Sequence, residues 1–125
     1  MRLRIWLDDI RPIPEIYSKY PVYWDETIQS NVSETTVQTK SVNATKSLVE
    51  KAEKSEYYSE YIFDLDHDLG SYADDGGDAI KFVLWLIETG RTGKQYRLMF
   101  HTANPIGREN MKALYDRYFE NGGRK

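Results

Sequence analysis

Hydrophobic and polar positions follow two different periods along the chain. Leu3, Ile5 and Leu7 alternate with Arg4 and Trp6, which predicts a first strand that stops at an Asp-Asp pair. Further strands are predicted over 36–42, 61–65 and 96–100. A helical period predicts three helices, over 43–54, over 78–89 and from 104 to the glycine pair at 122–123, with Asn43, Asp78 and Asn104 as their N-caps.

The order of these elements predicts the fold class. Strands alternate with helices, which favours an α/β domain with a mostly parallel sheet of four to five strands, flanked by helices. A chain of 125 residues is the length of one domain, so we expect a single domain over 1–125 with a frayed tail at 121–125. Residues 15–35 carry aromatic and then polar positions, and predict a loop with one short helix.

Composition excludes several classes of protein. The chain has no cysteine, so disulfides, zinc-thiolate sites and thiol nucleophiles are excluded. Its net charge is -3 and its 17 basic residues are scattered, which argues against binding to duplex DNA. The amino terminus lacks the apolar length of a signal peptide, and no apolar run is long enough to span a membrane. We therefore expect a cytoplasmic protein.

Polar clusters follow three of the predicted strands. Asp8 and Asp9 follow the first, Asp66 and Asp68 follow the third, and a polar segment over 101–104 follows the last. Because the carboxyl ends of parallel strands lie at one edge of a sheet, these clusters are expected to meet there. Carboxylates that meet repel one another unless a cation lies among them, and oxygen ligands without thiolate suit Mg²⁺ or Mn²⁺. The four aspartates are therefore the predicted metal ligands.

Both histidines of the chain, His67 and His101, follow predicted strands. An imidazole titrates near neutral pH, so the pair can serve as general acid and general base in phosphoester cleavage, together with Asp66. They could equally be metal ligands or donate hydrogen bonds to a bound phosphate.

The turn that opens the last predicted helix has the features of an anion site. Free backbone N–H groups at a helix start attract anions, and Thr102, Asn104 and Arg108 lie in or beside this turn. Arg11 is a further candidate for binding phosphate, with a salt bridge to Asp9 or Asp68 as the alternative. The acidic segment over 74–77 is interpreted as a mobile loop and not as a set of ligands.

Three segments together resemble a known family. WLDDIRP (6–12), DHDLG (66–70) and HTANPIGRENM (101–111) are similar to the signatures of the cyclic-phosphate-processing receiver-like domains. The resemblance implies a receiver-like, flavodoxin-like fold without the last βα unit of a receiver and without its phosphate-contacting lysine. It implies that Asp8 and Asp9 are the acidic pair, that Asp66 stands at the acceptor position, and that Thr102 belongs to the later motif. It also implies a cyclic nucleotide or a 2′,3′-cyclic RNA end as ligand.

Three functions remain open from the sequence. The first is a metal-dependent phosphoesterase that opens a cyclic phosphate. The second is a module that binds a nucleotide or a phosphorylated partner without cleaving it, with aromatic residues over 17–24 available for base stacking. The third takes Asp64 and Asp66 as the Asp-x-Asp motif of a haloacid-dehalogenase-type phosphatase, which normally follows the first strand.

Overall fold

A computed structural model describes residues 1–19, 22–25 and 30–123 of the chain, without the side chains of 18–32. The described strands are β1 (Arg2–Leu7), β2 (Val22–Asp25), β3 (Ser30–Thr39), β4 (Glu60–Leu65) and β5 (Tyr96–Phe100). The described helices are α1 (Glu15–Lys19), α2 (Val42–Ser55), α3 (Ala79–Glu88) and α4 (Pro105–Tyr118), with a 3-10 turn at Gly70–Asp74.

The strands form one sheet in the order β2-β3-β1-β4-β5. β1, β3, β4 and β5 are parallel, and β2 is antiparallel to β3 at one edge. The structure confirms the α/β fold with a four-stranded parallel sheet. None of the helices among the described residues is long and apolar enough to cross a membrane.

The prediction for residues 15–42 was partly wrong: the short helix is present as α1, but β2 and the beginning of β3 lie where a loop was expected. β3 begins at Ser30, ahead of the β-branched residues that mark it in the sequence, because its first four residues pair with β2, before the pairing with β1 begins at Glu34. It ends at Thr39, and Val42 already belongs to α2. The N-cap of α2 is Ser41 and not Asn43, because the Ser41 hydroxyl accepts the N–H of Ala44.

The acidic segment over 74–77 begins at the last residue of the 3-10 turn. The carboxylate of Asp75 accepts hydrogen bonds from Ser41 and Asn43 at the start of α2. Asp78 does precede α3, but its side chain makes no capping bond to that helix and accepts the N–H of Leu69 instead. The polar side chains of this segment therefore join neighbouring elements.

The hydrophobic core lies on one face of the sheet. Successive side chains of a strand point to opposite faces, and Leu3, Ile5 and Leu7 all lie in this core. α2, α3 and α4 contribute the buried Val49, Phe82 and Met111 to the same cluster, so these three helices cover that face.

The opposite face carries buried charges. Arg2 and Arg4 of β1 both bind the carboxylate of Glu34 on β3, at 2.6 and 2.9 Å, and Arg4 also binds Asp64 on β4 at 3.2 Å. All four side chains are less than a tenth exposed. Tyr17 of α1 lies over the Arg4 guanidinium at 4.2 Å, so α1 covers part of this face.

The outer edge of β5 is joined to the end of the chain. Asn121 donates to the carbonyls of Lys94 and Tyr96, both at 2.8 Å, and the Tyr115 hydroxyl is hydrogen-bonded to the backbone of Leu98. Gly123 donates to Asp116 at 2.9 Å. Residues 124 and 125 lie outside the described residues, so the frayed tail stays a prediction.

Candidate functional site

A cavity of about 330 Å³ opens at the carboxyl ends of β1, β4 and β5. Three backbone hydrogen bonds join the strand ends there: Asp8 to Thr39, Asp66 to Leu7 and His101 to Leu65. Parallel pairing therefore brings together segments that are up to 93 positions apart. The residues that line the cavity are Asp8, Asp9, Ile10, Arg11, Asp66, Asp68, Gly70, Thr102, Ala103 and Asn104.

Three carboxylates form a compact group in this cavity. One oxygen from each of Asp8, Asp9 and Asp66 lies within 4.8 Å of the others. Asp8 is fully buried and Asp66 is 8% exposed. Burial raises the pKa of Asp66, and the charge of Asp8 raises it further, against the lowering effect of a hydrogen bond from Thr102. The group thus gathers negative charge where water screens it poorly.

The donor set of this group fits a divalent metal. Its ligands are carboxylate oxygens, and hard oxygen ligands suit Mg²⁺ or Mn²⁺. The backbone of Gly70 lies close to the carboxylate of Asp9. Gly70 has φ +57°, and a Cβ there would lie 2.7 Å from Oδ2 of Asp9. A side chain at position 70 would therefore press on the Asp9 carboxylate.

The loop after β1 is held firmly at the cavity rim. Oδ1 of Asp8 accepts the backbone N–H groups of Ile10 and Arg11, at 2.9 and 2.8 Å. The carbonyl of Arg11 accepts from the Trp6 indole and from the Gln38 amide, each at 3.0 Å. These bonds fix the position of Asp8 within the loop.

Asp68 lines the cavity but lies outside the compact carboxylate group. Its carboxylate is 2.9 Å from Nδ1 of His67 and accepts from the Asn104 amide at 3.1 Å. These hydrogen bonds lower the pKa of Asp68. With Asp78, the His67–Asp68 pair forms a second group whose ligand atoms lie within 4.8 Å of one another. The structure thus divides the four predicted metal ligands into a group of three and a separate one.

The His67 ring packs against α4 and is not among the residues that line the cavity. Its Cγ would lie 2.4 Å from a Cβ at Gly107, so the ring lies directly against the helix backbone. The His67 side chain is 15% exposed. The missing side chain at Gly107 therefore leaves the space that this ring occupies.

His101 is enclosed beneath the cavity. Its Nε2 lies 3.0 Å from Oδ2 of Asp8, and its Nδ1 lies 2.8 Å from Oδ1 of Asp64. The ring is stacked on Trp6, with centroids 3.7 Å apart and planes 4° from parallel. The proton-transfer roles of both histidines stay predictions.

Three of the four predicted phosphate-binding residues line the cavity, and the fourth does not. Thr102 and Asn104 line the cavity, and the Asn104 side chain also caps α4 by accepting the N–H of Gly107. Arg11 lines it too; its side chain is 48% exposed, donates to the His101 carbonyl and lies 3.9 Å from Asp8. Neither alternative partner predicted for Arg11, Asp9 or Asp68, is the observed one. Arg108 is exposed and does not line the cavity.

One comparison decides the family. The model of the cyclic-phosphate processing receiver domain matches residues 3–117, which include all three clusters at the strand ends. The chain belongs to this family. The resemblance inferred from the three motifs is thereby confirmed, and the name of this receiver family indicates a role of the domain in cyclic-phosphate processing. No curated protein and no solved structure gives a significant match to this receiver domain.

Asp64 was not predicted as a site residue, except as part of the Asp-x-Asp motif of the third candidate function. In the structure Asp64 does not line the cavity, and it binds Arg4 and His101 on the charged face of the sheet. The signal was present in the sequence, since a carboxylate inside a buried strand requires a partner. The pattern along the chain did not reveal that this partner is a histidine 37 residues away.

Proposed function

We propose that this domain is a metal-dependent phosphoesterase that opens a cyclic phosphate, either a cyclic nucleotide or a 2′,3′-cyclic RNA end. The observation that carries the proposal is the compact group of Asp8, Asp9 and Asp66 in a cavity that also presents Arg11 and Thr102. A cavity of about 330 Å³ is at the lower end of the range for small-molecule sites.

The cavity walls supply contacts for the phosphate. Arg11 offers a guanidinium that can donate two parallel hydrogen bonds to phosphate oxygens. Thr102 and Asn104, which also line the cavity, offer a hydroxyl and an amide. Arg108, which is exposed in the first turn of α4, is the proposed contact for a part of the ligand that extends out of the cavity.

Asp8, Asp9 and Asp66 would hold the divalent metal. When bound, such a metal neutralises phosphate charge and lowers the pKa of a bound water. The carboxylates themselves orient the site and keep it anionic until a cation enters.

The reaction adds water across one ester bond. A P–O bond forms to the water oxygen, the P–O bond to one ring oxygen breaks, and one proton passes from the water to the leaving oxygen. Asp68 is the proposed carrier of that proton on the cavity wall, with His67 hydrogen-bonded behind it. Opening the ring yields a phosphate monoester.

The test is hydrolysis of 2′,3′-cyclic and 3′,5′-cyclic nucleotides by the purified protein with Mn²⁺ or Mg²⁺. We expect a ring-opened monophosphate, and no product in EDTA. Asp66→Asn should lower the rate at least about 100-fold, the low end of what a positioned catalytic group contributes. Asp75→Asn, which alters an exposed carboxylate away from the cavity, is the matched control and should keep full activity. A folded protein that binds Mn²⁺ and turns over none of these compounds would refute the proposal.

A second candidate is a module that binds the cyclic phosphate without cleaving it. It is favoured by the enclosure of His101, because both of its ring nitrogens are engaged by carboxylates. Calorimetry with a 2′,3′-cyclic nucleotide, followed by chromatography of the recovered ligand, separates the two candidates. Intact ligand after saturable binding supports the module, and ring-opened ligand supports the enzyme.

A further inference from the structure

The His101 ring lies between two carboxylates of different surroundings. Asp8 belongs to the cavity, whereas Asp64 belongs to the buried charges on the opposite face of the sheet. Nε2 of the ring lies 3.0 Å from an oxygen of Asp8, and Nδ1 lies 2.8 Å from an oxygen of Asp64. The imidazole thereby connects the charged face to the candidate metal site.

Asp64 is itself held from the other side. Its Oδ2 accepts from Arg4 at 3.2 Å, and Arg4 is bound in turn by Glu34 at 2.9 Å. Asp64 is 4% exposed, so water competes little for its carboxylate. One oxygen therefore faces Arg4 and the other faces His101.

The orientation of the ring is fixed by Trp6. A parallel stack at 3.7 Å prevents the imidazole from rotating out of the plane that points Nε2 at Asp8. On Asp8, one oxygen is tied to the backbone N–H groups of Ile10 and Arg11, and the other faces Nε2. Both oxygens of this carboxylate consequently have partners in fixed positions.

We propose that Asp64 is a positioning residue that acts through His101 to hold the Asp8 carboxylate in its metal-binding orientation. The inference deepens the proposed function and rests on the metal site assigned there. Partners behind a metal ligand set its orientation, and removing one typically weakens metal binding by about 10- to 100-fold. Here the partner stands two hydrogen bonds away from the metal ligand.

The test is the affinity for Mn²⁺ alone, measured by calorimetry on the full chain. Asp64→Asn should weaken binding about 10-fold, because the amide no longer pairs with both Arg4 and His101. Glu53→Gln is the control: it removes a partly buried carboxylate that is hydrogen-bonded to Arg91 and Tyr96, away from the cavity and from Asp64, and should leave the Mn²⁺ affinity unchanged. Equal losses in both variants would overturn the proposal, because the effect would then be general loosening of the fold.

A double-mutant cycle tests the route through the imidazole. His101→Gln should also weaken Mn²⁺ binding, and adding Asp64→Asn to it should weaken binding no further. Additive losses would show that Asp64 acts by another route and would overturn the proposal. A wild-type protein that binds no Mn²⁺ would instead refute the metal site of the proposed function.

A measurement on the wild-type protein covers the case in which Asp64→Asn does not fold. In ¹⁵N spectra of the histidine rings, addition of Mg²⁺ should shift both His101 nitrogens, because the ring contacts Asp8 directly and Asp64 on its far side. A shift confined to Nε2 would show that the metal site is not coupled to Asp64, and would overturn the proposal.

Discussion

Gly107 offers a quantitative test of how the site is packed. It is the third residue of α4, where alanine normally stabilises a helix by roughly 0.5–1 kcal/mol over glycine. A Cβ at this position would lie 2.4 Å from Cγ of His67, whereas carbon atoms in contact are about 3.5–4.0 Å apart. Gly107→Ala must therefore displace the ring by about 1 Å or more.

The net effect follows from two opposing terms. Overpacking of this kind lowers the free energy of unfolding by about 1–3 kcal/mol. The higher helix propensity of alanine offsets part of this loss. We expect Gly107→Ala to lower the free energy of unfolding by about 1–2 kcal/mol. In a His67→Ala background the ring is absent, so the same substitution should raise it by roughly 0.5 kcal/mol.

Urea denaturation of the four proteins in this cycle measures the coupling. Ala113→Gly, at an exposed position of the same helix, calibrates the intrinsic helix preference without any contact to His67. Equal effects of Gly107→Ala in both backgrounds would refute the reasoning, since the substitution would then not act through the ring.

Three further predictions follow from the structure. Because the pKa of Asp66 is raised by burial and by Asp8, ionised Asp66 destabilises the fold at neutral pH, and Asp66→Asn should raise the melting temperature in EDTA. The gain should disappear as the pH falls through the ordinary range for aspartate, because the wild-type carboxyl is then protonated in both states. Gly70→Ala should weaken Mn²⁺ binding in calorimetry, because its Cβ would press on Asp9 and φ +57° is strained by about 1–2 kcal/mol for alanine. Tyr96→Phe should cost about 1.5 kcal/mol in urea denaturation, because it removes a hydrogen bond to the Glu53 carboxylate.

Two substitutions at exposed positions are the controls for these predictions. Asp75→Asn should leave the melting temperature in EDTA unraised, since hydrogen bonds from Ser41 and Asn43 lower the pKa of Asp75. Tyr57→Phe, at an exposed tyrosine, should leave stability unchanged. An Asp66→Asn protein that melts below the wild type at neutral pH in EDTA would contradict the assignment of charge repulsion in the cavity.

The Glu53 contact also has a defined pH dependence. Burial raises the pKa of Glu53, but hydrogen bonds from Arg91 and Tyr96 outweigh it, so the folded-state pKa is lowered. Its stabilising contribution is therefore present above the pKa of an unfolded glutamate and is lost as the pH falls through the folded value. Tyr96→Phe should reduce that loss at acid pH; an unchanged acid-side slope would contradict this account.

The sequence predicted the parts of the fold that local patterns determine. The strand at 96–100 and the start of α4 at Asn104-Pro105 agree with the structure, because alternation and capping are local signals. The beginning of β3 was missed because its residues are mostly polar, and pairing with β2 makes it a strand. That pairing is a tertiary effect that propensity does not report.

The site could be predicted to the level of strand ends but not of side-chain direction. Placing Asp8, Asp66 and Thr102 at one edge needed only parallel strands, and the cavity contains all three. The sequence did not show that His101 turns beneath the cavity to meet Asp64, because this depends on which face of the sheet each side chain occupies. A shift of one position along a strand reverses that face, so side-chain direction requires coordinates.

The hydrogen bonds of Asn121 and Tyr115 along β5 have a consequence for association between molecules. An exposed strand edge invites pairing with another chain, because its outward carbonyl and N–H groups are otherwise unused. Here the carbonyl of Tyr96 already accepts from Asn121, and the backbone of Leu98 is already bonded to Tyr115. A strand of another molecule would have to displace both side chains before it could extend the sheet at this edge. Asn121 and the α4 residue Tyr115 thus protect β5 against pairing with another chain, in addition to the packing of α4 on the core.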